Sequence, residues 1–182
     1  YLILSTGSSP NDFSIKGVKE YAYFFNTNKD QLKLKNCLKE PLLKNSCKKI
    51  FIIGAGPSGV ELACKINDLY KTKFEINIVE RTAEILNNNK IFNKEEAQKT
   101  IKAKNINLLS NSSVIEIRDK EILISNKSDQ VDQIPYFAII WTAGIKPNLP
   151  EFVQKIEKTN NRILINNKLQ LPCYPNVFAL GD

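Results

Sequence analysis

Lys49-Ile50-Phe51-Ile52-Ile53-Gly54-Ala55-Gly56-Pro57-Ser58-Gly59 opens a stretch that continues through a helix-like segment to Ile76-Asn77-Ile78-Val79-Glu80. It reads as a strand, a G-x-G-x-x-G turn, a helix and a second strand closed by an acid, the order of a dinucleotide-binding βαβ unit. Gly54 allows the tight turn, Gly56 lets the backbone approach a pyrophosphate, and Gly59 lets the helix pack closely on the sheet. Pro57 suits the first helical turn, where its missing N–H would have no partner, and Ser58 follows it there. A pyrophosphate would sit on the free N–H groups of that turn, at the positive end of the helix dipole. Val60, Ala63, Ile66 and Tyr70 recur at helical spacing and predict the buried face. Glu80 falls roughly twenty residues beyond the last glycine, where a carboxylate accepts hydrogen bonds from an adenosine ribose.

Composition narrows the classes around this unit. The chain has 182 residues and a formal charge of +7, but its lysines are scattered, arginine is scarce, and no basic block with interleaved aromatics suggests nucleic acid. No apolar run approaches the roughly 18 residues of a membrane span. Cys37, Cys47, Cys64 and Cys173 form no C-x-x-C pair and histidine is absent, so no metal site is expected and histidine base catalysis is excluded. Four buried, reduced thiols fit a cytosol-like compartment. A chain without methionine that stops at Gly181-Asp182 reads as a piece of a longer one.

Working outward, Tyr1 to Leu4 reads as a buried strand and Ser5 to Pro10 as a sharp turn. Thr27 is expected to cap a helix from about Asn28 to Lys39, with Leu32, Leu34 and Leu38 as its apolar residues and Pro41 ending it. Past the fingerprint, Asn93 is expected to start a helix with Ala97, Ile101 and Ala103 inward. Ile106 to Leu109 is a strand, Val114 to Arg118 and Glu121 to Ser125 a hairpin, and Tyr136 to Trp141 a final apolar strand. Short strands at Ile163 to Ile165, Leu169 to Leu171 and Val177 to Leu180 follow. The expected organisation is 1–20 as one arm of a flanking domain, 21–47 as connecting helix and linker, 48–147 as the nucleotide domain and 148–182 as a return segment.

Four segments in order carry a family resemblance: Ser5-Thr6-Gly7, the glycine turn continued by Val60-Glu61-Leu62-Ala63, Ile140-Trp141-Thr142-Ala143-Gly144, and Val177-Phe178-Ala179-Leu180-Gly181-Asp182. Together they resemble two-dinucleotide flavoprotein oxidoreductases, and most of all type II NADH:quinone dehydrogenases within the FAD/NAD(P)-binding pyridine nucleotide-disulfide oxidoreductase superfamily. The resemblance implies an α/β fold in which a Rossmann-like NAD(P)-binding βαβ domain is inserted in an incomplete FAD-binding domain. It implies hydride transfer from NADH to FAD and electron transfer on to a quinone.

The resemblance assigns Gly54, Gly56, Pro57, Ser58, Gly59, Glu80, Arg81, Thr142, Ala143 and Gly144 to NADH, and Thr6, Gly7, Gly181 and Asp182 to FAD. Glu61 matches a family glutamate beside the nicotinamide and flavin rings and is the catalytic candidate. A helix carboxylate near the N-terminal dipole is the plainer reading of that residue. Glu80 favours NADH over NADPH by repelling a 2′-phosphate, whereas Arg81 could accept one. The full-length protein is expected at a membrane surface on the cytoplasmic or organelle-stromal side, with quinone as partner and a homodimer allowed. The family's N-terminal FAD-binding βαβ unit and its quinone and membrane segments have no counterpart in these residues, so the isolated chain is expected to be inactive. A disulfide, ferredoxin or nitrite reductase relative and a non-catalytic NADH-binding module stand as alternatives.

Overall fold

A computed structural model describes residues 1–39, 47–87, 89–159 and 161–181. They form two compact units, Asp12–Gly144 and, separately, Tyr1–Asn11 with Ile145–Asp182. In chain order the larger unit contains β1 (Ala22–Phe24), α1 (Asn28–Lys39), β2 (Lys49–Ile53), α2 (Pro57–Tyr70), β3 (Glu75–Val79), α3 (Ile91–Ala103) and β4 (Asn107–Leu109). A meander of β5 (Ser113–Ile117), β6 (Glu121–Ser125) and β7 (Val131–Pro135) then leads to β8 (Ala138–Trp141). The central sheet has the order β1-β8-β2-β3-β4 and every pairing in it is parallel. This is the mixed α/β, Rossmann-like fold expected.

The sheet forms because its strands are apolar on both faces, as parallel strands covered on both sides must be. Side chains alternate across the pleat. Ile50, Ile52, Ile76, Ile78 and Ile140 meet the helices through Leu34, Leu38, Ala63, Ile66 and Ile101. Phe51, Ile53, Val79, Ile139 and Trp141 meet the meander through Val114, Ile117, Ile122 and Ile124. The antiparallel β5-β6 hairpin expected from the alternating sequence is present, and β7 extends it. Segment 21–39 supplies β1 as an edge strand and packs α1 on the helix side.

Thr27 and Asp30 cap α1 reciprocally: the Asp30 N–H donates to Thr27 Oγ1 at 3.1 Å, and the Thr27 N–H donates to Asp30 Oδ2 at 3.0 Å. Leu34 and Leu38 are buried, but Leu32 is 60% exposed. Two residues from Leu34, Leu32 lies on the opposite side of the helix. Pro41 lies outside the described residues. The helix expected at Asn93 begins at Ile91, because the Lys90 carbonyl accepts from the Asn93 N–H at 3.0 Å and from the Lys94 N–H at 3.3 Å. Ala103, expected inward, is exposed for the same angular reason as Leu32, being two residues beyond buried Ile101.

In the smaller unit Leu2–Leu4 pairs in parallel with Tyr174–Ala179, which pairs antiparallel with Gln170–Leu171. Ser8–Pro10 pairs with Ile145–Pro147, and Lys158–Thr159 with Arg162–Ile163. The first strand is not buried as expected, since Tyr1, Leu2 and Ile3 are 101%, 53% and 63% exposed. Among the described residues of this unit no second layer covers it.

Candidate functional site

The glycine turn is set by close approach on one side and open space on the other. Gly54 leaves β2 with φ +102, its N–H donating to the Val79 carbonyl at 2.9 Å, and a Cβ there would lie 3.0 Å from Ala143 Cα. A Cβ on Gly59 would lie 2.0 Å from the Gly54 carbonyl oxygen and 2.8 Å from Thr142 Oγ1, so no side chain fits. Gly56 is the N-cap of α2 with φ −71 and ψ 179, Pro57 follows at the first position, and a Cβ on Gly56 would meet nothing within 4 Å. The first-turn amides of α2 have no acceptor four residues back in their own helix, so they are available to an anion.

Two neighbours hold this turn. The Thr142 hydroxyl lies 2.9 Å from the Ile53 carbonyl and 3.1 Å from that of Gly54, and the Thr142 N–H donates to Ile53 at 2.9 Å, stitching the end of β8 to the end of β2. Half-buried Glu80, just beyond β3, accepts the Ala55 N–H on Oε2 at 2.8 Å. Its Oε1 accepts the Thr82 N–H at 3.0 Å and the Thr82 hydroxyl at 2.9 Å.

A cavity of about 510 Å³ runs along the C-terminal ends of the strands and is bordered by Gly54, Gly56, Glu80, Arg81, Thr142, Ala143 and Gly144. That is the edge at which open parallel sheets bind ligands, and the volume lies within the range of small-molecule sites. Seven of the residues assigned from sequence to NADH thus meet in one space. Pro57, Ser58 and Gly59 shape α2 without bordering the cavity, and Glu61 is exposed on α2 outside it.

The sequence reading missed Phe13, Ile15, Ser112, Ser113 and Val114, which also line the cavity. Ser112 and Ser113 follow β4, so their place past the end of a third parallel strand was a usable signal. Phe13 reaches the cavity through the tertiary fold alone. Burial raises the Cys64 thiol above its ordinary pKa, outweighing the lowering by the Lys104 charge. The protonated thiol it keeps is a poor nucleophile, in line with a packing role.

In the smaller unit Thr6 and Gly181 border a second cavity of about 290 Å³ with Leu4, Arg162 and Leu180. Gly7 and Gly181 have φ +67 and +93, and a Cβ on either would meet nothing within 4 Å, so a ligand can approach their backbone. The Gly7 carbonyl accepts the Asn148 N–H at 2.9 Å. Asp182 lies outside the described residues.

Residues 1–182 match the family described as pyridine nucleotide-disulphide oxidoreductase. The chain is 29% identical over 210 residues to an external alternative NAD(P)H-ubiquinone oxidoreductase B3, mitochondrial, of Arabidopsis thaliana, covering all of this chain and 36% of the relative. It is 32% identical over 185 residues to the demethylphylloquinone reductase NdbB of a Synechocystis species, covering all of this chain and 45% of that one. Among solved structures, NDH2 from Plasmodium falciparum in complex with NADH superposes with a TM-score of 0.84 at 26% identity, over all of this chain and 43% of its own. The chain therefore spans less than half the length of these relatives. With the match extending over residues 1–182, the chain belongs to the pyridine nucleotide-disulphide oxidoreductase family.

Proposed function

We propose that Asp12–Gly144 is the NADH-binding domain of a flavoprotein of the type II NADH:quinone oxidoreductase kind, inserted between two arms of an FAD-binding domain. The observation that carries this is the glycine turn: it is packed shut at Gly54 and Gly59 and open at Gly56, facing a cavity that ends at the Glu80 carboxylate. A pyrophosphate fits the open side at Gly56, against the N–H groups of the first turn of α2, which Pro57 shapes without donating. Glu80 is the ribose acceptor and favours NADH over NADPH, with Arg81 beside it, while Thr142, Ala143 and Gly144 border the other half of the nucleotide.

The residues present also fit part of an FAD site, since Thr6, Gly7 and Gly181 leave backbone that a ligand can approach. Asp182 would accept hydrogen bonds from the flavin side chain. When both nucleotides are bound, they supply the redox chemistry: hydride from NADH to FAD, then two electrons to a quinone. The protein's part is position and electrostatics. Glu61, exposed on α2, is proposed to orient the nicotinamide or to assist proton movement to the quinone.

The quinone assignment is supported by the names of the ubiquinone and demethylphylloquinone relatives. In this reading the whole protein acts as a peripheral protein at a membrane surface on the cytoplasmic or organelle-stromal side, with a homodimer allowed. No helix of the described residues is long and apolar enough to cross a membrane.

Anaerobic NADH titration of the flavin-loaded, full-length protein, followed by a panel of quinones, tests this reading. Bleaching of the flavin by NADH and its return with quinone is the expected result. A flavin that stays oxidised under NADH would overturn the enzyme and leave an NADH-binding module. Bleaching followed by reoxidation with a disulfide or ferredoxin, but with no quinone, would move the protein to another branch of the family.

A further inference from the structure

A dinucleotide carries its pyrophosphate between two nucleosides, so a cavity that seats the pyrophosphate at its middle has two ends. One end here is polar: Glu80, Arg81, Ser112 and Ser113 gather past β3 and β4. The other lies past β8, where Trp141 to Gly144 meet Phe13. With the adenosine at Glu80, the nicotinamide falls at the second end.

Phe13 is held there by an unusual backbone. Phe13 and Ser14 have φ +49 and +58, a left-handed pair without glycine, and such conformations persist only where the surroundings enforce them. Asp12 enforces this one. Its carboxylate accepts the Ser14 N–H at 3.4 Å and pairs with Lys19 at 3.1 Å, and its carbonyl accepts the Ile15 N–H at 3.0 Å. Ile15 packs on the meander-side core.

The turn does not bury the ring it constrains, for Phe13 is 53% exposed at the cavity rim. It lies close over Gly144, where a Cβ would be 3.1 Å from Phe13 Cζ and 3.6 Å from Cε2. A side chain at Gly144, at φ +70, would strain the backbone and push the ring aside by a few tenths of an ångström.

Resting on the assignment of this cavity to NADH, we propose that Phe13 is a nicotinamide-binding residue, its ring forming the flat apolar wall against which the nicotinamide lies. A planar heteroaromatic ring gains from an aromatic wall in offset-stacked or edge-to-face geometry. The adenosine half gains nothing from it.

Calorimetric titration of the full chain with NADH and with ADP-ribose, which lacks only the nicotinamide, tests this. Phe13→Ala should weaken NADH by roughly 2- to 12-fold, the size of an aromatic pair contact, and leave ADP-ribose unchanged. Phe13→Tyr should bind both as the wild type does. Phe13→Leu keeps the bulk and loses the flat face, so it should show part of the same selective loss, and it decides the matter if Phe13→Ala does not fold. Equal weakening of both ligands would mean that Phe13 only supports the turn, and unchanged NADH affinity would remove it from the site. Either result overturns the proposal while leaving the cavity's assignment intact. A wild-type chain that binds neither ligand would overturn both.

Discussion

Placing one methyl group at each of two glycines separates holding the fold from holding the nucleotide. At Gly59 the added Cβ would stand 2.0 Å from the Gly54 carbonyl oxygen, where ordinary contact begins at 3.4 Å, so α2 must withdraw by roughly 1.4 Å. Overpacking of this kind costs about 1–3 kcal/mol, and at about 2–4 °C per kcal/mol for a chain of this size Gly59→Ala should melt roughly 2–12 °C lower. Gly56 is the opposite case. Its φ of −71 and ψ of 179 suit any residue, and its Cβ would meet nothing within 4 Å. Gly56→Ala should therefore melt at or slightly above the wild-type temperature, because alanine has less unfolded-state freedom to lose, worth about 0.4–1 kcal/mol. The space its methyl fills is where the pyrophosphate must come. Losing one charge-assisted hydrogen bond, about 1.5–3 kcal/mol, weakens NADH roughly 10- to 150-fold. Melting followed by circular dichroism reads the first quantity, and calorimetric NADH titration the second. A Gly56→Ala chain that folds normally and binds NADH as the wild type does would refute the placement of the pyrophosphate on this turn.

Two further perturbations probe other parts of the unit. Both Glu80 oxygens accept backbone N–H groups, whereas a glutamine side chain offers one oxygen, so in Glu80→Gln one N–H must face an NH₂. The melting temperature should fall by the equivalent of about 1–3 kcal/mol, and the NADPH-to-NADH ratio of dissociation constants should drop as the repulsion of a 2′-phosphate is lifted; an unchanged ratio would clear Glu80 of cofactor selection. Tyr136 has its phenol pushed up to about 12 by burial, then by the Asp119 charge and Tyr21, and its hydroxyl donates to the Arg118 carbonyl at 2.7 Å. Because the folded value lies above the ordinary 10.0, the neutral phenol's stabilisation is complete below about pH 10 and lost as pH rises toward 12. Ultraviolet titration should show one of the six tyrosines ionising late, and Tyr136→Phe should blunt the alkaline loss of stability; tyrosines that all titrate together would refute it.

What was legible in the sequence is what local chemistry decides. Ile50 to Ile53 and Tyr136 to Trp141 read as strands because burial on both faces leaves a continuous apolar run, Ile76 to Val79 reads as one although buried Asn77 interrupts it, and Thr27 announces a helix start. Where a segment's place depends on distant partners, local chemistry is silent. Ile91 and Phe92 open α3 while 74% and 70% exposed, so they add no helical periodicity to the signal. Val131–Pro135 has no alternation to read, yet the ladder to β6 makes it a strand. Phe13 lies more than a hundred residues from Gly144 in the chain. What brings it to the cavity is the run of chain before β1 along the meander, where the Ile117 N–H donates to the Lys16 carbonyl at 2.9 Å.

If Glu80 selects the cofactor as proposed, selectivity and affinity are coupled in this site. The Ala55 peptide is gripped from both sides by the segment after β3: its N–H by the Glu80 carboxylate at 2.8 Å, and the Ala55 carbonyl by the Leu86 N–H at 3.0 Å. Ala55 sits between the two glycines that shape the turn, and it is buried. The protein's own hydrogen bonds therefore fix the turn, so a nucleotide seated on it as proposed would be spared the entropy of ordering it. On the proposed assignment, the carboxylate that would discriminate a ribose hydroxyl from a phosphate is the same group that holds the Ala55 N–H in the turn proposed for the pyrophosphate. A substitution made at Glu80 to admit NADPH takes an acceptor from the Ala55 N–H as well, so on this assignment it should also weaken the hold on the phosphate bridge that NADH and NADPH share.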